Sequence, residues 1–218
     1  MTGTRGKFIT FEGGEGSGKS TQIKTLSLFL KGRGIDHIIT REPGGSDGAE
    51  ELRTLMLTGD TDRWTAMSEA LMVTAGRVDH VEKLIKPALE QGQWVISDRF
   101  YDSTKVYQGV AGGLGLENMV NLQKLALGDF TPDLTLILDI DVQKGLARAI
   151  QREGANNGNE DRFERKGLKY HQALREAYKA IAMSESDRCK LVDASGTIDQ
   201  IADAIQQVIE PLIAGVGD

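Results

Sequence analysis

The chain has 218 residues, of which 26 are glycines, well above the usual share of roughly 7%. Its hydrophobic fraction of 39% and charged fraction of 27% are those of a globular protein and exclude disordered and collagen-like classes. The net charge of −6 disfavours nucleic acid as a partner, because non-specific binding to phosphates needs a surplus of lysine and arginine. The apolar runs are far shorter than the roughly 20 residues of a membrane helix, so no membrane partner is expected.

The N-terminal segment is short and polar and is not followed by an apolar run, so no secretory signal is visible. The one cysteine, Cys189, has no partner for an internal disulfide, which suits a reducing compartment. We therefore expect a cytoplasmic protein.

Short apolar runs alternate with segments of helical periodicity along the chain. In order, the sequence predicts a strand at 7–12, a helix at 20–31, a strand at 37–40, helices at 50–57 and 68–88, a strand at 94–97, a helix at 117–127, a strand at 134–138, a helix at 143–151, a loop at 154–159, a helix at 167–183, a strand at 190–192 and a helix at 198–213. This alternation predicts an α/β fold, with a five-stranded parallel sheet covered by helices on both faces. We expect a single domain over residues 1–218, with excursions near 41–77 and 148–166.

A complete phosphate-binding motif follows the first predicted strand. Residues 13–20 read GGEGSGKS and fit G-x-x-x-x-G-K-[ST] in full. Glycines allow successive backbone N–H groups to point at one anion, and the N-terminus of the next helix adds partial positive charge. Lys19 would supply a full charge to the β- and γ-phosphates, and Ser20 a hydroxyl to Mg²⁺. The expected ATP-binding residues of this segment are Gly13, Gly14, Glu15, Gly16, Ser17, Gly18, Lys19, Ser20 and Thr21.

Charged residues also stand at the ends of the next two strands. Asp98 closes the third predicted strand and is a candidate to hold Mg²⁺ through water, while Arg99 beside it would grip a second phosphate. Arg41 leaves the second strand at the same edge of the sheet and is a second such candidate. The alternative for these residues is a surface ion pair or a solvated loop. Arg77 lies in an otherwise apolar helix, so it either faces a cleft or pairs with an acid.

Together these segments resemble the bacterial thymidylate kinases, within the P-loop nucleoside-monophosphate kinases. The resemblance runs from about residue 7 to residue 195 and rests on residues 11–20, 40–45, 85–89, 98–104, 107–109 and 127–135. It implies a P-loop NTPase fold and in-line phosphoryl transfer from Mg-ATP to dTMP, giving dTDP for dTTP synthesis. It also implies a homodimer, a monophosphate-binding excursion at 41–77 and a mobile lid at 148–166.

The resemblance further implies roles for single residues. The dTMP-binding set would be Glu15, Arg41, Val73, Arg77, Arg99, Ser103, Thr104 and Gln108. Glu15 would accept the 3′-hydroxyl, Arg41 and Arg99 would hold the 5′-phosphate, and Arg77 would donate to the thymine edge.

The lid region would supply the arginine nearest the transferred group. That residue is expected to be Arg152, which would join Lys19 and Arg99 as the catalytic residues. Arg148 and Ser195 are expected to lie against the adenine of ATP.

This sequence departs from the family pattern at three positions. Val73 stands where the family usually has a phenylalanine that stacks on thymine, Gly76 where an acid is often found, and Phe100 where a tyrosine is common. Tyr101 and Phe163 are the candidate substitutes for the missing stacking ring.

A phosphate monoester has a second pKa near 6, so at pH 7 the acceptor is already mostly a dianion and needs no general base. His37, His80 and His171 are accordingly expected to be structural. A GTPase is disfavoured because no Asn-Lys-x-Asp segment is present, and a non-catalytic nucleotide-binding protein would not need arginines beyond the loop. A kinase for another nucleoside monophosphate stays open because of Val73.

Overall fold

The computed structural model describes residues 5–153, 163 and 166–214, with the backbone alone at 152 and 153. Its five strands form one parallel sheet, in the order β2-β3-β1-β4-β5. They are β1 (Phe8–Glu12), β2 (His37–Arg41), β3 (Trp94–Asp98), β4 (Leu134–Asp139) and β5 (Cys189–Asp193). The predicted five-stranded parallel sheet is therefore confirmed.

Nine α-helices lie in the described part of the chain. They are α1 (Lys19–Gly32), α2 (Asp47–Leu57), α3 (Ala66–His80), α4 (Lys86–Glu90), α5 (Tyr101–Thr104), α6 (Leu116–Leu127), α7 (Val142–Glu153), α8 (Leu168–Ser184) and α9 (Ile198–Ala214). The helix predicted at 68–88 is longer and becomes π-helical at Val81–Ile85, between α3 and α4.

One helical stretch was not predicted from the sequence. Helix α5 continues as a π-helix over Lys105–Ala111, and we call the two together the α5 segment. The sequence has a cluster of glycines at 109–115, and glycine has a low helix propensity. Val106 and Tyr107 are buried within this segment, so tertiary packing overrides the weak local preference. Single π-turns within helices are frequent at functional sites.

Helices cover both faces of the sheet, because alternate strand residues point to opposite sides. On one face, α1 and α9 pack on Ile9, Phe11 and Leu136. On the other face, Phe8 and Val95 pack against residues of the α3–α4 run and α6, while α8 packs against Ile137. None of the helices in the described ranges is both long enough and apolar enough to cross a bilayer.

Parallel register brings the ends of three strands to one edge. Phe11 of β1 and Arg41 of β2 are both paired with Asp98 of β3. The motif loop, Arg41 and Arg99 therefore leave the sheet side by side, as the sequence predicts.

Candidate active site

The loop of residues 13–18 joins β1 to α1 in a conformation that needs glycine. Gly16 has a φ of 66° and Gly18 a φ of 91°, values that residues with a Cβ adopt rarely. A Cβ on Gly16 would also lie 1.9 Å from the carbonyl oxygen of Gly145 in α7. The loop is thus set by its glycines and packs against the base of α7.

Lys19 folds back over this loop. Its Nζ donates to the carbonyl oxygens of Gly13 at 3.1 Å and Gly14 at 3.3 Å. Burial, with repulsion from Arg99, lowers the pKa of Lys19, because both disfavour its charged form. A bound anion would offset this penalty.

Ser20 and Asp98 meet beside the loop. The Ser20 Oγ donates to Oδ2 of Asp98 at 3.3 Å. A hydroxyl and a carboxylate are oxygen donors of the kind that Mg²⁺ prefers, and Mg²⁺ keeps several waters when one or two such groups bind it. The donor set therefore fits the predicted metal.

An open cleft of about 850 Å³ lies over the motif, and we call it the loop cleft. It is lined by Glu15, Gly16, Ser17, Gly18, Lys19, Ser20, Thr21, Arg41, Glu42, Arg53, Asp98 and Arg99. Arg41 is half-exposed there and ion-paired with Glu50 at 2.9 Å. Gly13 and Gly14 instead border a small cavity behind the loop.

A second cleft of about 750 Å³ opens between α3 and the α5 segment, and we call it the helical cleft. It is lined by Glu15, Glu42, Pro43, Arg53, Met56, Leu57, Val73, Arg77, Arg99, Phe100, Ser103, Thr104, Tyr107, Gln108 and Phe163. Every predicted dTMP-binding residue except Arg41 lines this cleft, and Arg41 lines the loop cleft.

Arg77 satisfies both alternatives that its sequence position left open. It is 2% exposed, lines the helical cleft and donates from Nε to Oε2 of Glu42 at 2.7 Å. Its Nη2 donates to Oγ1 of Thr104 at 2.9 Å. His80 donates to the other carboxylate oxygen of Glu42 at 3.1 Å, so this acid is held from two sides.

Arg99 and Glu15 line both clefts. The Nη2 of Arg99 donates to Oε1 of Glu15 at 2.8 Å, and its Nη1 donates to the carbonyl oxygen of Gly13 at 3.1 Å. Burial alone would raise the pKa of Glu15, but the charges of Arg99 and Lys19 outweigh it and lower that pKa. Arg99 has a φ of 74°, which is rare outside glycine, and strained backbone conformations of this kind cluster at active sites and ligand-binding segments.

The structure adds a buried acid that sequence reasoning missed. Glu12 ends β1 and accepts hydrogen bonds from the backbone N of Phe100 at 2.8 Å, Ser103 Oγ at 2.6 Å and the Tyr178 hydroxyl at 3.0 Å. Burial, together with the charge of Asp102, raises the pKa of Glu12 to about 7. The sequence did offer a signal for this residue, since an acid stands at the end of an apolar strand. Buried acids are usually paired, so such a position indicates a side chain with specific partners.

Arg53 is a second residue that was missed. It projects from α2, lines both clefts and donates from Nη1 to the carbonyl oxygen of Pro43 at 2.7 Å. The sequence offered only an arginine on an amphipathic helix, which is typical of a solvated face.

The predicted adenine-side residues lie near one another. Arg148 donates from Nη1 to the carbonyl oxygen of Ala194 at 3.3 Å, and the next residue, Ser195, donates from its backbone N to Asp193. Arg152 lies on α7, but its side chain is outside the described residues, as are Arg162 and the loop predicted at 154–159.

The two candidate substitutes for a stacking ring differ in position. Phe163 lines the helical cleft, with its ring centroid 5.6 Å from that of Tyr107. Tyr101 packs edge-on against Phe100 at 5.7 Å and is not among the cleft-lining residues.

Comparison with known proteins agrees with this geometry. The family model for thymidylate kinase matches residues 11–205. The thymidylate kinase of Rhodopseudomonas palustris (strain TIE-1) is 48% identical over 217 residues, covering 97% of this chain and 94% of that protein. The thymidylate kinase of Nitrobacter winogradskyi is 51% identical over 199 residues, covering 91% of this chain and 85% of that protein.

A solved structure with a similar fold is also a thymidylate kinase. The crystal structure of thymidylate kinase from Ehrlichia chaffeensis matches with a TM-score of 0.76 and 29% sequence identity. The match covers 94% of this chain and all of that one.

Proposed function

Because the chain belongs to the thymidylate kinase family, we propose that it transfers the γ-phosphoryl group of ATP to dTMP and releases dTDP and ADP. The observation that carries this proposal is the meeting of two clefts at Arg99 and Glu15. In this proposal one cleft takes the polyphosphate and the other the nucleoside, and the shared wall would bring the reacting phosphates together.

The helical cleft takes dTMP in this proposal. Arg77, Thr104 and Gln108 face the base, and Val73 contacts its ring. Glu15 accepts the 3′-hydroxyl.

The 5′-phosphate of dTMP then points to the shared wall. Arg99 holds it from the helical cleft and Arg41 from the loop cleft. Arg53 joins this set because it borders both clefts.

The loop cleft takes the phosphates of ATP. The backbone of residues 13–18 and Lys19 hold the β- and γ-phosphates, and Arg148 and Ser195 lie against adenine. Ser20 and Asp98 would hold Mg²⁺, which would neutralise charge on the β- and γ-phosphates of ATP.

Positioning and charge, rather than proton transfer, supply the catalysis. The acceptor phosphate is largely a dianion at neutral pH, so the main obstacle is repulsion between two anions. Lys19 and Arg99 offset that repulsion, and Arg152 is the proposed third cation at the transferred group.

The direct test measures ADP release from Mg-ATP in the presence of dTMP, dUMP, dCMP and dGMP in turn. We expect ADP release to depend on dTMP and to exceed that with the other acceptors. A higher rate with another pyrimidine monophosphate would favour the alternative that Val73 leaves open. Hydrolysis that no monophosphate changes would contradict every kinase function.

We also propose a homodimer. Met67 and Leu71 lie one turn apart on α3 and are exposed, as are Leu116 and Val120 on α6. Apolar residues exposed at helical spacing on two helices that pack together are typical of an interaction face. Sedimentation velocity would show a dimer that Leu71→Asp dissociates, whereas a wild-type monomer would contradict the proposal.

We propose that the protein is located in the cytoplasm. Cys189 is a buried free thiol, which suits a reducing compartment. Cell fractionation would test this, and recovery with an exported fraction would contradict it.

A further inference from the structure

Two pairs of side chains connect α3 to the α5 segment beside the helical cleft. Helix α3 presents Glu69, Val73 and Arg77 at intervals of four residues, and the α5 segment presents Thr104 and Gln108 at the same interval. Arg77 donates to Thr104 at 2.9 Å, and Nε2 of Gln108 donates to Oε2 of Glu69 at 3.0 Å. The two pairs flank Val73, and every member of them is buried.

The second pair fixes the orientation of an amide. A carboxylate oxygen only accepts hydrogen bonds, so Glu69 requires the NH₂ group of Gln108 to face it. Gln108 lines the cleft, whereas Glu69 lies behind it and is not among the lining residues. The carbonyl oxygen Oε1 is then the polar atom that Gln108 offers to a ligand.

The resulting pattern is complementary to one class of base. Arg77 offers donors and Gln108 offers an acceptor. A pyrimidine-2,4-dione presents a carbonyl at C4 and an N–H at N3, which match them. A 4-aminopyrimidine presents the reverse, an amine at C4 and a lone pair at N3. It would set donor against donor and acceptor against acceptor, and buried polar groups left unpaired are strongly unfavourable.

We propose that Glu69 is a specificity-determining positioning residue: by holding the amide of Gln108 in one orientation, it selects pyrimidine-2,4-dione monophosphates over 4-aminopyrimidine monophosphates. The inference rests on the proposed function, because it places the base in the helical cleft. Glu69 itself does not touch the substrate. It acts through Gln108, and the same contact gives the buried carboxylate a hydrogen-bond donor.

The test compares kcat/KM for dTMP and dCMP in four proteins. They are the wild type, Glu69→Gln, the exchange Glu69→Gln/Gln108→Glu, and Glu210→Gln, which removes a carboxylate from a surface ion pair with Arg33. In Glu69→Gln both partners are amides, so Gln108 can present either its oxygen or its nitrogen. We expect the dTMP/dCMP ratio to fall about tenfold.

The exchange variant separates positioning from structure. Its amide, now at position 69, would donate to the carboxylate at position 108. The second oxygen of that carboxylate again only accepts, so the ratio should return to within about threefold of wild type. Glu210→Gln should leave the ratio unchanged. If Glu69→Gln fails to fold, the dTMP/dCMP ratio of the exchange variant still tests the positioning role of Glu69.

A ratio within twofold of wild type in Glu69→Gln, or an equal loss for both substrates, would overturn the inference, as would an exchange variant that folds without regaining the ratio. These outcomes differ from failure of the proposed function, which would appear as absent monophosphate turnover in the wild type.

Discussion

The loop cleft and the helical cleft share a wall but are built in different ways. The loop cleft is formed mainly by one contiguous segment, whose backbone shape follows from glycines at 13, 16 and 18. The helical cleft is formed by side chains from separate helices, which hold one another through buried pairs such as Arg77–Glu42. Binding of phosphate therefore depends on backbone geometry, whereas recognition of a base depends on pairs of side chains that are far apart in sequence.

The largest effect is expected when the positive charge of Lys19 is removed from the loop cleft. Lys19→Ala should lower kcat by about 10³ or more, since a cation at the transferred phosphate stabilises charge that develops in the transition state. Circular dichroism should show a folded protein, because the loop geometry comes from its glycines. A melted spectrum would show that Lys19 mainly maintains the fold.

The helical cleft should respond differently, through stability. Arg77→Met leaves Glu42 buried, with only 3% of its side chain exposed, and without its cation. Removing one partner of a buried pair usually costs about 3–5 kcal/mol. Urea denaturation would measure the loss. Arg33→Met, which breaks an exposed pair with Glu210, should cost less than about 1 kcal/mol. Similar losses in the two variants would contradict the distinction.

Glu12 is fully buried and accepts a hydrogen bond from Ser103, which lines the helical cleft, so its titration makes the stability of this region depend on pH. Its pKa is raised from 4.5 to about 7, so the folded state binds a proton that the unfolded state has released. Its contribution to stability is therefore full below pH 4.5 and is lost as pH rises through 7.

Glu12→Gln removes this dependence. Between pH 5 and pH 7.5, the wild type should lose stability relative to the variant, by at most about 3 kcal/mol. Urea denaturation at the two pH values gives the comparison. If the difference in unfolding free energy between wild type and variant is the same at pH 5 and at pH 7.5, the assignment is contradicted.

The smallest expected effect comes from a substitution at Val73 in the helical cleft. Val73→Phe places a ring where valine contacts the base, and base–aromatic stacking is worth about 1–3 kcal/mol. With some of that gain offset by tighter packing, we expect the KM for dTMP to fall about fivefold. Steady-state kinetics would show it, and a rise in KM would mean that Phe163 already occupies the space of the new ring.

The same contrast explains what could be predicted from the sequence. The loop, the parallel sheet and the positions of Lys19, Ser20 and Asp98 follow from a contiguous motif and from the alternation of strands and helices. Glu12, Arg53 and the helical α5 segment were missed, because their roles depend on contacts between distant elements. Resemblance to a family supplied Thr104 and Gln108, and only the structure shows that each is paired with a residue of α3.

The central claim is that the two clefts bind two nucleotides and meet at Arg99. Isothermal titration of Arg99→Ala with dTMP and with ADP tests it directly. Loss of charge-assisted hydrogen bonds to the 5′-phosphate should weaken dTMP binding about 10- to 100-fold, while ADP binding changes less than about threefold. Equal weakening of both ligands, or unchanged dTMP binding, would contradict the account.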